Sequence, residues 1–170
     1  MSISDGLLRE FDQEMKSTRK YLERMPEGKP DWKPHPKSMA MGRLAGHVAE
    51  LIGFATMIVQ SDGMDMAQRP RDRKPLVAET QKQVLDVFDQ KTTEARAAIA
   101  ATSDAQWMQP WKLSMGAQTF YDGARIGALR TMMMNHLIHH RAQLGVYYRM
   151  NGVPLPATYG PSADEGPEAK

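Results

Sequence analysis

The chain contains no cysteine. That absence excludes disulfides, zinc ribbons and a cysteine nucleophile. It also lacks a charge excess of either sign: 22 Lys and Arg stand against 20 Asp and Glu, a net charge of +2. The charges are interspersed, and no basic run interleaved with aromatics offers a groove for nucleic acid. No apolar run approaches the roughly 20 residues of a membrane span. The opening stretch, MSISDGLLREFDQEM, is acidic where a signal peptide needs a basic start and an apolar run. A soluble cytoplasmic protein is the resulting expectation. At 170 residues the chain is long enough for one domain with a sizeable core.

What the sequence does contain is helical periodicity, in four segments. The first runs from about Ser4 to Met25, with Leu8, Phe11, Met15, Thr18 and Leu22 at spacings of three and four. Ser4 and Asp5 suit its start, and Pro26 ends it. The linker PEGKPDWKPHPKS is too rich in proline for a helix and predicts an extended, aromatic-anchored loop. The second helix is expected from Ser38, as N-cap, to about Gln60, with a stripe through Leu44, His47, Leu51 and Ile58. The polar loop SDGMDMAQRPRDRKP, expected to be mobile, leads to a third helix at Thr80. There Thr80 and Gln83 match a capping box, and Val84, Phe88, Ala95 and Ile99 form the apolar stripe.

A long connection follows, in which Trp107, Trp111 and Phe120 are expected to pack on the bundle and WKLSMGAQTF has room for a short extended stretch. The fourth helix is expected from about Asp122 to Asn151, stopped by Gly152 with Pro154 just beyond. Its stripe reads Ile126, Leu129, Met133, His136, His140, Leu144 and Tyr147. Four amphipathic helices with no credible hairpin pair predict an all-α fold, a four-helix bundle over residues 1–152. Residues 153–170 form a partly ordered tail in which Tyr159 anchors a fold-back and the last few residues are disordered.

Three of the five histidines fall in the decapeptide NHLIHHRAQL. His136 and His140 are four apart, so they point the same way, about 40° apart around the axis and one turn along it. Both lie in the apolar stripe, as His47 does on the second helix. An inward imidazole without a partner is costly, and two stacked ones repel when protonated. A divalent metal removes both problems by binding neutral rings, and bundle cores build metal sites from facing helices in this way. The competing reading is a set of hydrogen-bonded structural histidines. His139 lies about 100° from His140 and faces a neighbouring helix or the surface. His35, in the proline-rich loop, reads as packing or solvent-facing. Glu50, one turn beyond His47, is a candidate to orient it or to act as a base, although a surface carboxylate is the plainer reading. Met132, Met133 and Met134 are consecutive, cannot share a face, and read as core filler.

The stretches DWKPHPKSMAMGRLAGHVAEL and NHLIHHRAQLGVYYRMNGVPLPATYGPSADE together resemble the DinB-like (DinB/YfiT) superfamily. The resemblance covers helices one, two and four, the first linker and the tail. It implies a four-helix bundle of up-down-down-up connectivity and a metal triad at His47, His136 and His140. It implies a divalent ion, nickel or zinc foremost, and a homodimer. Relatives include bacillithiol-dependent S-transferases, a mycothiol-dependent maleylpyruvate isomerase and proteins described as metal-dependent hydrolases. A low-molecular-weight thiol is therefore a second expected cofactor.

Three histidines without a fourth protein ligand leave positions for water, thiol or substrate, as catalytic rather than structural sites do. The expected function is a metal-dependent enzyme acting on a small molecule, by hydrolysis or thiol transfer. Glu50 and His139 are the candidate bases, and Arg43 and Arg141 the candidate thiol-pocket cations. The alternative is a metal-holding stress-response bundle without turnover.

Overall fold

Ser2 starts the first helix. Its hydroxyl accepts from the Asp5 amide at 3.1 Å, and the Asp5 carboxylate accepts from the Ser2 amide at 2.8 Å. This reciprocal cap opens α1, Ile3–Leu22, two residues before the expected Ser4. The structure is a computed structural model and describes residues 1–70, 72 and 74–165. Phe11, Met15, Thr18 and Leu22 are buried along α1, with Leu7 in place of the expected Leu8.

The second helix does not begin at Ser38. It runs as α2, Met41–Leu51, with Ala40 at the cap and no side-chain cap bond. The loop serves instead: the Met41 amide donates to the Trp32 carbonyl at 2.8 Å and the Gly42 amide to the Pro30 carbonyl at 2.9 Å. Orphan amides of a first turn need acceptors from somewhere, and main-chain carbonyls suffice. Ile52, still in right-handed helical conformation, joins α2 to α3, Gly53–Gln60. By length and composition Met41–Gln60 is apolar enough to cross a membrane, contrary to the expectation that no stretch is. More than half of its most apolar window is buried inside the fold, as a core helix of a bundle requires.

Gly42 and Gly46, one turn apart, let the main chain of residues 76–78 lie directly on α2. A Cβ on Gly42 would sit 2.3 Å from the Ala78 carbonyl oxygen, and one on Gly46 2.2 Å from that of Leu76. The third long helix, α4, Gln81–Ala101, starts at Thr80 with the expected capping box, and Val84, Phe88, Ala95 and Ile99 are its buried residues. A short α5, Asp104–Trp107, follows.

The fold is mostly helical but not strictly all-α. β1, Gly63–Asp65, pairs in parallel with β2, Pro110–Met115, which pairs antiparallel with β3, Gln118–Ala124. The signal for the hairpin was short. Met115 faces Gln118 across a two-residue turn, Gly116–Ala117, and Gly116 takes φ 59°, which glycine adopts without strain. Trp107 and Trp111 are buried as expected, whereas Phe120 is exposed on the hairpin.

β3 consumes the first three residues of the expected fourth helix. That helix begins as α6, Arg125–Ala128, continues through a π-helical segment, Leu129–Asn135, and becomes α7, His136–Met150. It ends at Gly152, φ 72°, where the Gly152 amide donates to Arg149 and the Val153 amide to Tyr148, a Schellman pair. The tail folds back on α1 and α7. Tyr159 bonds Glu14 and Arg141, Asp164 pairs with Arg149, and Glu165 pairs with Arg24. The expected disorder of the last residues concerns 166–170, which lie outside the described residues.

Gly46→Ala is expected to destabilise the protein by about 1–3 kcal/mol, the usual cost of an overpacked site that must shift. Urea unfolding of wild type and variant measures it.

Candidate metal centre

α2 and α7 pack side by side. His47 leaves α2 between the buried Leu44 and Leu51, and His136 and His140 leave α7 one turn apart. The three rings converge. The His47 centroid lies 5.3 Å from that of His136 and 4.6 Å from that of His140, and the two α7 rings are 4.7 Å apart. One ring nitrogen from each fits within a 4.8 Å cluster.

The histidines are not in the deepest part of the seam, as the apolar stripe had suggested. The buried line of α7 runs through Leu137, Arg141, Leu144 and Tyr148, and the three imidazoles are only half-buried on its flank. The π segment is the reason. Each such turn adds a residue relative to an α-turn, so a stripe projected from Ile126 and Leu129 loses phase before His136.

Hydrogen bonds fix how the α7 rings face. His140 Nδ1 lies 2.8 Å from Gln143 Oε1, which can only accept, so Nδ1 carries the proton. At His136 the nearby Met132 backbone works against the lowering of the pKa by burial. The His136 and His140 Nε2 atoms stand 2.9 Å apart. Two lone pairs at that distance repel unless a proton or a cation lies between them. Neutral imidazoles converging from facing helices are the donor set a divalent ion takes. The residues present therefore fit such an ion.

Burial disfavours the charged form of all three rings. It holds His47 at about 4, with His140, Arg43 and His136 adding repulsion, against an ordinary value of 6.5. His136 and His140 are lowered for the same first reason, partly offset by their bonds to Met132 and Gln143.

Beside His47 sits an ion pair. Arg43 Nη1 donates to Glu50 Oε2 at 3.1 Å and to the Leu76 carbonyl at 3.2 Å, while the Leu76 amide donates to Glu50 Oε1 at 3.2 Å. The segment seated on Gly42 and Gly46 thus supplies both halves of the clamp. Arg43 Nη2 comes within 3.5 Å of His47 Nδ1. A pocket of about 270 Å³ opens here, lined by Arg43, His47, Glu50, Leu51, Phe54 and Arg69 among others.

The fold does not bring every candidate to the cluster. His139 is exposed, its ring centroid 4.9 Å from that of His140. Arg141 faces α1: it pairs with Glu14 at 2.8 Å and bonds Thr18 and Tyr159, so it does not line the histidine pocket. His35 stays in its loop and accepts from the Lys37 amide. Gln143 and Leu76 were missed. Gln143 stands three residues after His140, a spacing that puts two side chains in contact on a helix. Leu76 acts through its main chain, which carries no sequence signal.

A mostly helical fold in which two packed helices aim three imidazoles at one point defines a class of helical histidine-cluster proteins. The sequence profile of the DinB superfamily matches residues 10–144, and the chain belongs to that superfamily. It is 24% identical over 164 residues to the uncharacterised protein YrdA of Bacillus subtilis (strain 168), covering 95% of this chain and 90% of that one. Its fold is similar to a DinB-like protein of Bacillus cereus ATCC 10987, with a TM-score of 0.68 at 21% identity over 93% of this chain and 98% of the other. It is also similar to the DinB-like protein YjoA of Bacillus subtilis, with a TM-score of 0.67 at 16% identity over 92% and 99% of the two chains. At these identities the two structures speak to the fold.

Two measurements follow from the geometry. Gln143→Leu frees His140 Nδ1, and metal affinity is expected to fall about 10–100-fold, as when an outer partner of a ligating histidine is lost. Gln143→Glu, which keeps an acceptor, is expected to retain it; competition against a chromophoric chelator reads both. The second concerns acid. The unfolded chain protonates these histidines near their ordinary 6.5, whereas folded His47 resists to about 4. The unfolded state then binds more protons, so metal-free protein loses stability as pH falls through that window. The urea midpoint is expected to drop between those values, and to drop less in His47→Leu.

Proposed function

We propose that the protein is a metal-dependent enzyme in which His47, His136 and His140 hold a divalent ion and a small-molecule substrate reacts with an activated water or thiol. The observation that carries this reading is the convergence of three imidazoles, with the His136 and His140 Nε2 atoms 2.9 Å apart and the His47 ring against both. When bound, such an ion lowers the pKa of a coordinated water or thiol and polarises a carbonyl. Nickel and zinc both suit an imidazole set.

The chain's own residues favour thiol transfer over hydrolysis. Hydrolysis needs a base near the reacting water. Glu50, the nearest carboxylate, is committed to Arg43 and the Leu76 amide. Its role in this reading is to hold Arg43 beside His47, where the guanidinium orients an anionic group of thiol or substrate. His139 stands on the exposed rim, its ring centroid 4.9 Å from that of His140. The up-down-down-up order of the long helices belongs to the same reading, supported by the packing of α1 on α4 and α7 and of α2 on the same two helices. So does a homodimer, which the exposed Val146 and Met150 of α7 support. A metal-holding bundle without turnover is the second reading, favoured by the commitment of Glu50, the carboxylate beside the cluster, to Arg43 and the Leu76 amide.

Elemental analysis of tag-free wild type and His136→Ala tests the proposal. Near-stoichiometric metal in the wild type, lost in the variant, is expected, followed by turnover in a screen of thiol-dependent reactions that stops on metal removal. Absence of metal from both proteins after incubation with zinc or nickel would overturn it. A site with metal but no exchangeable water would leave the second reading.

A further inference from the structure

The pocket at His47 does not end there. A second depression of about 430 Å³ shares Glu50, Phe54 and Arg69 with it and continues along α3 to Met57, Val87 and Lys91. The two together are the size of a small-molecule site. Their lining has two chemical characters. Phe54, Met57, Leu76 and Val87 give an apolar floor between α3 and α4. Arg43, Arg69, Lys74 and Lys91 give four cations, against Glu50 as the one carboxylate among the described lining residues.

The cations lie close to the apolar floor. The Arg69 guanidinium carbon is 5.5 Å from the centroid of the Phe54 ring. The stem of Lys91 crosses α3 at Gly53, its Cδ 3.4 Å from where a Cβ would stand. Lys91 is bridged to Glu94 at 2.8 Å, both side chains about a third or more exposed, a surface pair that costs little to exchange. A ligand body lying on Phe54 thus meets positive charge at its far end. A cationic or purely polar ligand gains nothing from this lining.

We infer that this groove is the substrate subsite of the histidine cluster and takes organic anions with an apolar body, the acid group set among Arg69, Lys74 and Lys91 and the body on Phe54, Met57 and Val87. Its role as a substrate subsite rests on the metal-enzyme reading; the binding itself does not. The reactive end of such a molecule points back along the groove, past Glu50 and Arg43, to His47.

The test uses two probes of equal body and opposite charge, 4-phenylbutyrate and 4-phenylbutylamine, titrated into the full chain with and without zinc and followed by amide NMR shifts. The acid is expected to move Phe54, Met57, Val87 and Lys91 and to bind at least about tenfold more tightly than the amine, a difference near 1.4 kcal/mol. Lys91→Glu, a change at a surface pair, is expected to weaken the acid about tenfold and leave the amine unweakened. Equal binding of the two probes, shifts confined elsewhere, or no saturable shift would overturn the inference. Binding of the acid by a protein that takes up no metal would keep the groove and sink the metal-enzyme reading. A metal-replete protein that ignores the acid would do the reverse.

Discussion

Two glycines one turn apart on α2 decide what can lie beside the histidines. Because Gly42 and Gly46 present no side chain, the main chain at 76–78 rests on the helix itself, its oxygens where Cβ atoms would otherwise be. From that seat Leu76 offers one carbonyl to Arg43 and one amide to Glu50. The two charges are thereby fixed on the same face as His47, and the wall of the pocket is set. Remove the close approach and the clamp loses its third member, although no residue at the cluster has changed.

The cluster itself is held by a different economy of hydrogen bonds. On α7 the His140 ring is oriented from behind by Gln143, and its Nε2 meets that of His136. On α2 the ring is oriented from the side, by a cation. Half-burial keeps all three neutral near physiological pH while leaving a path to solvent. A fully buried triad would be as neutral but closed to any partner, and a fully exposed one would be open but protonated in mild acid. The flank position of the histidines, off the Leu137–Leu144 line, is therefore what makes the cluster usable.

Much of this was legible in the sequence, and the reasons for success and failure are local. The Thr80 cap and the Val84–Ile99 stripe of α4 stand as read, because cap chemistry and a 3.6-residue period are short-range signals. The convergence of His47 with His136 and His140 was readable from the one-turn spacing on α7 and from apolar neighbours on both helices, although the stripe itself was out of phase. The hairpin was half-seen: WKLSMGAQTF looked extended, but pairing of Gly63–Asp65 with Lys112–Ser114 joins residues far apart in the chain, and no local pattern reports it. The start at Met41 instead of Ser38 was hidden because carbonyls of the preceding loop, not a side chain, cap the helix. Arg141 looked like a neighbour of His140 and is one in sequence; in space it faces α1, where Glu14 and Tyr159 hold it.

The π segment has a consequence for how this helix tolerates change in length. A π turn is an α-turn carrying one additional residue, so Leu129–Asn135 acts as a phase adjuster between the sheet-bound start of the helix and its histidine-bearing half. Loss of one residue there can be absorbed by reverting to ordinary α geometry, with the helix still continuous and still packed. Angular agreement between the two halves survives as well, because the shorter α segment turns through the same angle; an ordinary α stretch of the full seven residues would instead turn the histidines by about 100° relative to Arg125 and the strand before it. The segment thus works as a vernier: the direction in which two imidazoles point is set by the π geometry upstream of them and not by the count of residues alone.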